Sequence, residues 1–280
     1  LVAGGTGGHI FPAISTFHSL IKSYDITIIS DKRGYKYFKD TIVKTKSKNQ
    51  ANIISYNSIS PFNRGYFKKV TFLFLTVLAF FKFLYTFIKL KPQILLGFGG
   101  YVTVIPGFVA KILGIKIIIH EQNAIMGRAN KILETIANYS LVSFKNTLPI
   151  KNDYNKRIYC GTPLRKQFYD KNFLITKNKR KGKFTILIFG GSLGSKFFST
   201  EIPNAFCKLD NKLKKVLHLK HQVIGSKIKI IKNLYKMNKI SAEVKVFFNK
   251  IINHYVKADL IICRAGGSSI AEIMKLKIPS

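Results

Sequence analysis

Cysteine is scarce in this sequence. The three cysteines, Cys160, Cys207 and Cys263, are widely separated and form no Cys-x-x-Cys pair. A sparse, odd-numbered set is typical of a reducing compartment and argues against both a disulfide framework and a structural zinc site. The chain opens at Leu1 directly before a glycine-rich loop and stops abruptly at Ser280, and we expect no signal peptide. We expect the sequence to be a fragment at both ends.

Acidic residues are few as well, with 12 Asp and Glu against 47 Lys and Arg and a net charge of +35. No Asp-x-Asp pair occurs, which argues against a divalent metal bridging a diphosphate, and we expect neither a metal nor a cofactor. The positive charge attracts phosphates in nucleic acid, anionic lipid or a nucleotide. Compositional drift toward Lys, Ile and Asn gives the same totals, so the charge alone selects no partner.

Apolar runs of strand length alternate with helical patterns along the whole chain. The helix predicted over Ile10–Lys22 places Ile10, Ile14, Phe17 and Ile21 on one face. Repeated strand–helix–strand units predict parallel sheets with helices on both faces, which is the α/β fold class. The predicted strands are Ile26–Ile29, Ile53–Tyr56, Ile94–Leu96, Lys116–His120, Leu141–Phe144, Phe184–Phe189, Val244–Phe248 and Leu260–Cys263.

The stretch Lys145–Lys183 is polar and rich in Lys and Asn, with one short apolar piece at Arg157–Cys160. A new strand, glycine loop and helix begin after it at Phe184. We therefore predict two Rossmann-like domains, residues 1–155 and 156–280, that face each other across a cleft.

One apolar segment, Val70–Ile88, is long enough as a helix to approach the thickness of a bilayer core. Three interpretations remain open: a buried helix, a transmembrane span, and a helix lying in the membrane interface. Lys82 in its middle opposes a span, as does its position between two strands of one sheet. Flanking lysines and many phenylalanines favour the interfacial helix.

Four glycine clusters each follow an apolar strand and precede a helix, where backbone amides and the helix dipole form a ready anion site. A single such loop is weak evidence, because tight turns also use glycine for packing. None matches a P-loop or a dinucleotide-binding fingerprint, so two facing α/β halves favour a nucleotide-diphosphate-sugar enzyme. The clusters are Gly4–His9, Gly97–Gly100, Gly190–Gly194 and Gly266–Ser269.

The polar sequence His120-Glu121-Gln122-Asn123 ends the strand that begins at Lys116. Because the carboxyl ends of parallel strands face the ligand crevice, we expect these side chains to point into it. The alternative is a strand-end cluster that is satisfied by neighbouring backbone.

These residues, in this order, resemble the MurG family, which transfers N-acetylglucosamine from UDP-N-acetylglucosamine to the lipid-linked muramyl pentapeptide of peptidoglycan synthesis. The family pattern GGTGGHxxPA appears as Gly4–Ala13 and HEQNxxxGxxNK as His120–Lys131. GxGGYV appears as Gly97–Val102, GGSxG as Gly190–Gly194, and the final helix start as Arg264–Glu272. The resemblance covers nearly the whole chain and implies the two-domain GT-B architecture.

The resemblance also implies roles for individual residues. Those implied at the acceptor diphosphate are Gly5, Gly99, Gly100 and Tyr101. Those implied at the donor are Thr6, Gly7, Gly8, Asn123, Arg165, Ser192, Phe248, Gly267, Ser268, Ser269 and Glu272. The chain departs from the family at Thr162, where Asn is usual, and at Thr103-Val104-Ile105, where Ser-Gly-Pro is usual. The family's loop that reads the donor sugar lies beyond Ser280, so we expect a poorly active fragment.

The reaction implied is an inverting attack of the acceptor 4-hydroxyl on the sugar C1, with UDP leaving. His9 is the first candidate for the general base and His120 the second, since imidazole suits neutral pH. Alternatively, His9 only binds the acceptor phosphate. The partners expected are UDP-N-acetylglucosamine, the undecaprenyl-diphosphate-linked acceptor and an anionic membrane surface, at the cytoplasmic face of the inner membrane as a peripheral protein.

Two other functions stay open from the sequence. One is another GT-B enzyme, such as a UDP-sugar epimerase or a glycolipid synthase. The other is a basic nucleic-acid-binding protein, against which stands the lack of any helix-turn-helix, zinc-finger or RRM-like signature, so we expect no nucleic acid partner.

Overall fold

The computed structural model describes residues 1–45, 47–56, 66–149, 156–170, 182–191, 195–248 and 251–280, with only the backbone described for 66–72. The chain forms two compact units, Leu1–Arg165 and Lys166–Ser280. The boundary predicted near residue 155 falls at the edge of a stretch outside the described residues, and the observed division lies ten residues later.

The first unit contains a parallel sheet that is centred on the first residues of the chain. Val2 bridges both Ile29 and Gly97, so Leu1–Ala3 joins the β1–β2 pair to the four strands in the order β3-β4-β5-β6. The strands are β1 (Ile26–Ser30), β2 (Ala51–Ser55), β3 (Ile94–Gly97), β4 (Lys116–Glu121), β5 (Tyr139–Val142) and β6 (Arg157–Tyr159).

Successive strand residues in the first unit point to opposite faces of the sheet and separate two cores. Ile28 packs in the cluster that contains Phe17 and Phe38 of the first two helices. Its neighbour Ile29 packs in the cluster that contains Phe83, from the third helix. The helices are α1 (Gly7–Leu20), α2 (Lys32–Lys44), α3 (Tyr66–Leu90), α4 (Val104–Ile112) and α5 (Arg128–Glu134), and a 3-10 turn spans Tyr101–Thr103.

The second unit repeats the plan with a four-stranded parallel sheet in the order β10-β7-β8-β9. Its strands are β7 (Phe184–Phe189), β8 (Leu217–Gln222), β9 (Ser241–Lys245) and β10 (Leu260–Cys263). Its helices are α6 (Lys196–Cys207), α7 (Asn211–Val216), α8 (Ile228–Met237), α9 (Ile252–Tyr255) and α10 (Gly267–Leu276), with 3-10 turns at Lys166–Tyr169 and Gly225–Lys227. The predicted α/β class with two parallel-sheet domains is confirmed.

Three strand predictions need correction, and two strands were not predicted. The strand predicted at Ile53–Tyr56 lies at Ala51–Ser55, and the short apolar piece at Arg157–Cys160 forms β6, which was not predicted as a strand. The strand β8 was not predicted, because its sequence Leu-His-Leu-Lys-His-Gln looks polar although His221 and Gln222 are buried. The strand predicted at Val244–Phe248 lies at Ser241–Lys245, and Phe248 is buried in the following loop instead. The strand predicted at Leu141–Phe144 begins two residues earlier, at Tyr139. In β8, burial by neighbouring elements outweighs the polar local pattern.

Candidate functional site

Two of the predicted glycine loops pack directly against each other in the first unit. A Cβ atom at Gly100 would lie 2.7 Å from the carbonyl oxygen of Gly4, and one at Gly99 would lie 3.0 Å from the His9 ring. Both glycines also have positive φ angles, 83° and 98°, which L side chains rarely adopt. Only glycine allows this approach, so the structure brings Gly4–His9 and Gly97–Tyr101 into one site.

The first glycine loop is held in shape by a carboxylate that the sequence analysis missed. Asp31 follows β1, accepts a 2.7 Å hydrogen bond from the Gly5 amide and caps α2 through a 2.8 Å bond from the Gly34 amide. Arg33 donates to the Gly5 carbonyl at 2.6 Å. Gly5 therefore offers no unengaged amide to an anion, and its part in the site is to shape the turn. An Asp between a strand and a helix was the available signal.

The helix α1 begins at Gly7 with Thr6 as its N-cap, and the Thr6 side chain accepts no hydrogen bond from the first turn of the helix. Gly7 is buried, Gly8 is half-buried and Thr6 is exposed. The His9 amide donates to the Thr6 carbonyl at 3.1 Å, which leaves the amides of Gly7 and Gly8 and the positive end of the dipole for an anion. His9 lies in the same turn, so its imidazole adjoins this anion site.

The loop after β4 is organised around the buried carboxylate of Glu121. One oxygen, Oε1, accepts from the backbone amide and the side-chain Nδ2 of Asn123, both at 2.9 Å. The other, Oε2, accepts from the Gly127 amide at 2.9 Å and from Asn130 Nδ2 at 2.8 Å. The predicted donor residue Asn123 is thus fixed by Glu121, and its amide nitrogen faces that carboxylate.

The predicted base His9 is linked to the strand-end cluster. Its Nδ1 lies 2.8 Å from Gln122 Oε1, and Gln122 Nε2 lies 2.9 Å from His120 Nδ1. Burial lowers the pKa of His120, which favours a neutral ring. His120 is 1% exposed, so its ring lies behind the surface of the site.

An open pocket of about 190 Å³ adjoins this cluster. Four residues predicted for the site line it: His9, Gly99, Gly100 and Tyr101. Asn130, for which no role was predicted, also lines the pocket, and its buried Oδ1 has no hydrogen-bond partner among the described residues. The signal was its place in the HEQNxxxGxxNK motif. The remaining lining residues are Glu121, Gly127, Arg128 and Ala129.

Arg165 belongs to the first unit, where its guanidinium lies over the ring of Phe11 in α1, 4.6 Å from the centroid. The preceding residue is tied to the same helix, because Ser15 Oγ donates to the Leu164 carbonyl. Thr162, at the position where the family usually has Asn, donates to Ser143 Oγ at 2.7 Å. The segment that carries the predicted diphosphate-binding arginine is therefore anchored on α1 and on the end of β5.

The predicted donor residues of the second unit cluster at the start of α10. The helix begins at Gly267, which is buried, and half-buried Ser268 and Ser269 lie in its first turn. One turn on, Glu272 is 6% exposed, and Tyr255 donates to its Oε2 at 3.1 Å. Sequence reasoning missed Tyr255, since nothing in its local pattern marks a tyrosine as a partner for a distant carboxylate.

Two further residues of the second unit, Phe248 and Ser192, were predicted to contact the donor. Phe248 is 3% exposed, and its ring packs at a tilt of 50° against that of His254, with centroids 4.6 Å apart, so its side chain is buried. Ser192 lies outside the described residues. Among the residues that the structure does describe, no group of three or more His, Cys, Asp or Glu side chains could hold a metal ion.

Comparisons with known proteins agree with this arrangement. Residues 1–142 match the glycosyltransferase family 28 N-terminal domain, and residues 185–280 match the glycosyltransferase family 28 C-terminal domain. Together with the two parallel sheets and their glycine loops, these matches define the class as a two-domain glycosyltransferase.

Similar full-length sequences narrow the class further. A UDP-N-acetylglucosamine–N-acetylmuramyl-(pentapeptide) pyrophosphoryl-undecaprenol N-acetylglucosamine transferase of Rickettsia bellii is 36% identical over 100% of this chain and 76% of its own length. The Bartonella bacilliformis transferase of the same name is 34% identical over 100% of this chain and 72% of its own length. The crystal structure of Acinetobacter baumannii MurG matches 97% of this chain and 74% of its own, with a TM-score of 0.71 and 28% identity. The chain belongs to the MurG family.

A more distant likeness concerns the fold alone. The structure of a UDP-GlcNAc 2-epimerase from Methanocaldococcus jannaschii covers 99% of this chain and 81% of its own, with a TM-score of 0.65 at 14% identity. The GT-B architecture is therefore shared with epimerases. The sequence identity, 36% to the Rickettsia bellii transferase and 14% to this epimerase, distinguishes the two families.

Proposed function

We propose that the protein transfers N-acetylglucosamine from UDP-N-acetylglucosamine to the 4-hydroxyl of the muramyl sugar of undecaprenyl-linked lipid I, giving lipid II. The acceptor oxygen forms a bond to C1 as the bond from C1 to the diphosphate oxygen breaks, with inversion. The electron pair leaves with UDP, and the hydroxyl proton passes to the base. The names of relatives at 36% and 34% identity over the whole chain support this substrate pair.

The observation that carries the proposal is the convergence of His9 with two glycine loops. The loop Gly4–His9 cradles the acceptor diphosphate, with Gly7 and Gly8 also approaching the donor sugar, and Gly99–Tyr101 lines the pocket beside His9. His9, in the first turn of α1, is the general base for the nearby hydroxyl. Backbone amides and the helix dipole supply the positive potential, so the reaction proceeds without a metal ion.

The second unit holds the nucleotide. The first turn of α10, with Ser268 and Ser269, binds donor phosphate, and Glu272 accepts the ribose hydroxyls. Tyr255 keeps the Glu272 carboxylate in place through its 3.1 Å hydrogen bond. Arg165 and Ser192 stabilise the leaving diphosphate, and the backbone at Phe248 contacts the uracil.

The protein acts at an anionic membrane surface, on the cytoplasmic face, through α3. The stretch Leu73–Leu90 is long and apolar enough to cross a bilayer, yet only 17% of it is buried within the structure. One face packs into the core through Phe83 and Phe87, while Phe74 and Phe81 are 63% and 61% exposed. Because one face of α3 packs in the domain core, α3 lies along the membrane surface and does not cross it. Exposed Lys82 and other lysines contact the anionic head groups.

A transfer assay with a base-deficient variant tests the proposal. We expect the full-length protein to move labelled N-acetylglucosamine from UDP-N-acetylglucosamine onto a lipid I analogue. His9→Asn keeps a side-chain N–H near Gln122 but removes the base, and kcat should fall at least about 100-fold. His18→Asn, on the exposed side of the same helix, is the matched control and should retain activity. A folded wild-type protein that forms no lipid-linked product would refute the function.

A further inference from the structure

A chain of hydrogen-bonding groups connects His9 to the backbone of the segment that follows β6. His9 Nδ1 lies 2.8 Å from Gln122 Oε1, and Gln122 Nε2 lies 2.9 Å from His120 Nδ1. His120 Nε2 in turn lies 2.9 Å from the carbonyl oxygen of Gly161. We call these four groups the His9–Gly161 relay.

The far end of the relay fixes the proton on His120. A carbonyl oxygen only accepts hydrogen bonds, so His120 Nε2 must carry the hydrogen and donate it to Gly161. His120 is 1% exposed, and burial lowers its pKa, so the ring is neutral near pH 7. Its Nδ1 is then an acceptor, and the Gln122 amide nitrogen donates to it.

A second contact fixes the Gln122 amide independently. Its Nε2 also lies 3.0 Å from the backbone carbonyl of His120, which again only accepts. A flipped amide would turn its oxygen toward two acceptors. The oxygen Oε1 therefore faces His9, and since Oε1 can only accept, His9 Nδ1 must donate to it.

We propose that Gln122 and His120 are positioning residues that hold His9 in the tautomer with its proton on Nδ1, leaving the lone pair on Nε2. The proposal rests on the proposed function for its catalytic consequence. In that reaction Nε2 takes the acceptor hydroxyl proton, and the resulting imidazolium keeps the same Nδ1–H bond to Gln122. Because the relay has the same geometry before and after proton transfer, no reorganisation opposes the step.

The glycine loop restrains the ring as well. A Cβ atom at Gly99 would lie 3.0 Å from both Cε1 and Nδ1 of His9, so this loop packs closely against the ring edge. The relay and the loop thus restrain the imidazole from two directions. In Ser-His-Asp catalytic triads, the Asp fixes the tautomer of the His in the same way. A triad with the wrong His tautomer loses about 10⁴-fold in kcat.

The direct test is the tautomer of His9, read from ¹⁵N shifts of histidine-labelled protein at about pH 8.5, two units above the usual histidine pKa. Loss of a signal in His9→Asn assigns the ring. We expect a protonated Nδ1 and an unprotonated Nε2 in the wild type. In Gln122→Met, which removes both amide contacts, the Nε2–H form should appear. Gln222→Met replaces another buried glutamine, in the second unit, and should leave the His9 shifts unchanged.

A wild-type His9 protonated on Nε2 would overturn the proposal, whatever the variants do. The kinetic test is separate: Gln122→Met should lower kcat about 10- to 100-fold, a part of the contribution of a general base, with KM for UDP-N-acetylglucosamine within about twofold. An unchanged kcat with a shifted tautomer would overturn the catalytic consequence. A correct tautomer in a protein without transferase activity would instead reject the proposed function and leave the relay intact.

Discussion

At the scale of single residues, the site depends on buried polar groups that hold the ligand-facing groups in place. Asp31 fixes the loop at Gly5, Gln122 faces His9, and Tyr255 supports Glu272. Each partner comes from a distant part of the chain. Leaving a buried charged group without one of its hydrogen bonds costs about 1–3 kcal/mol, so these supports have measurable effects.

The support of Glu272 by Tyr255 can be measured. Tyr255→Phe removes the hydroxyl that donates to the carboxylate, and we expect unfolding to become easier by about 1–2 kcal/mol. The Kd for UDP should rise about 3- to 10-fold in titration calorimetry, because the carboxylate loses its fixed orientation.

Tyr235→Phe is the matched control for this change. Tyr235 is equally buried in the second unit, and its hydroxyl lies 2.8 Å from His221 Nδ1. This variant should lose similar stability without any change in UDP affinity. Equal UDP affinity in Tyr255→Phe and the wild type would show that Tyr255 has no part in holding the nucleotide.

Several residues that line the pocket could be predicted from the sequence, and most of the residues that support them could not. A glycine loop and a histidine directly after such a loop are local patterns, so the sequence alone predicted a site at Gly99, Gly100 and His9, which line the pocket. Asp31 and Tyr255 act through contacts 26 and 17 residues away, which a single sequence does not encode locally. Asn130 stands in the HEQNxxxGxxNK motif, but its hydrogen bond to Glu121 is visible only in the structure.

At the scale of elements, α3 has two different faces. Residues Ala79, Phe83 and Phe87 are buried, whereas Phe74, Leu78 and Phe81 are exposed at the four- and three-residue spacing of one helix face. The sequence left three interpretations of Val70–Ile88 open because hydropathy cannot tell a face in the core from a face in lipid. The structure shows that Phe83 and Phe87 contribute to the core of the first unit, which argues against a span.

Membrane binding should therefore depend on the outer face of α3. Replacing Phe74, Leu78 and Phe81 together with Ser removes apolar area that enters the lipid interface, and binding to phosphatidylglycerol vesicles should fall at least about tenfold in sedimentation assays. Ile230→Ser with Met237→Ser removes exposed apolar side chains from α8 instead and should bind as the wild type does. Unchanged sedimentation of the α3 variant would contradict the proposed membrane surface.

At the scale of the whole molecule, the two-domain plan followed directly from the alternation of strands and helices. The strand β8 was missed because His221 and Gln222 lie inside the second unit despite their polarity. His221 pairs with the Tyr235 hydroxyl, and burial lowers its pKa to about 4. A buried polar pair of this kind is visible only when the packing around it is known.

The buried histidine also makes stability depend on pH. The unfolded chain binds a proton at His221 below about pH 6.5, while the folded chain resists it down to about pH 4. Stability should therefore fall as the pH drops through this window, by about 3 kcal/mol in total. Urea unfolding of the second unit between pH 8 and pH 4 measures the loss. His221→Gln should flatten this dependence, and His18→Asn should not; an equally steep loss in His221→Gln would contradict the assignment.

The buried carboxylate of Glu121 orders one wall of the pocket before any ligand binds. Four N–H groups from Asn123, Gly127 and Asn130 converge on this internal carboxylate. The Glu121 carboxylate thus orders the turn that borders the pocket, without the need for a bound ligand. This wall of the pocket is preorganised, so a ligand that binds there does not have to supply the free energy of ordering the loop.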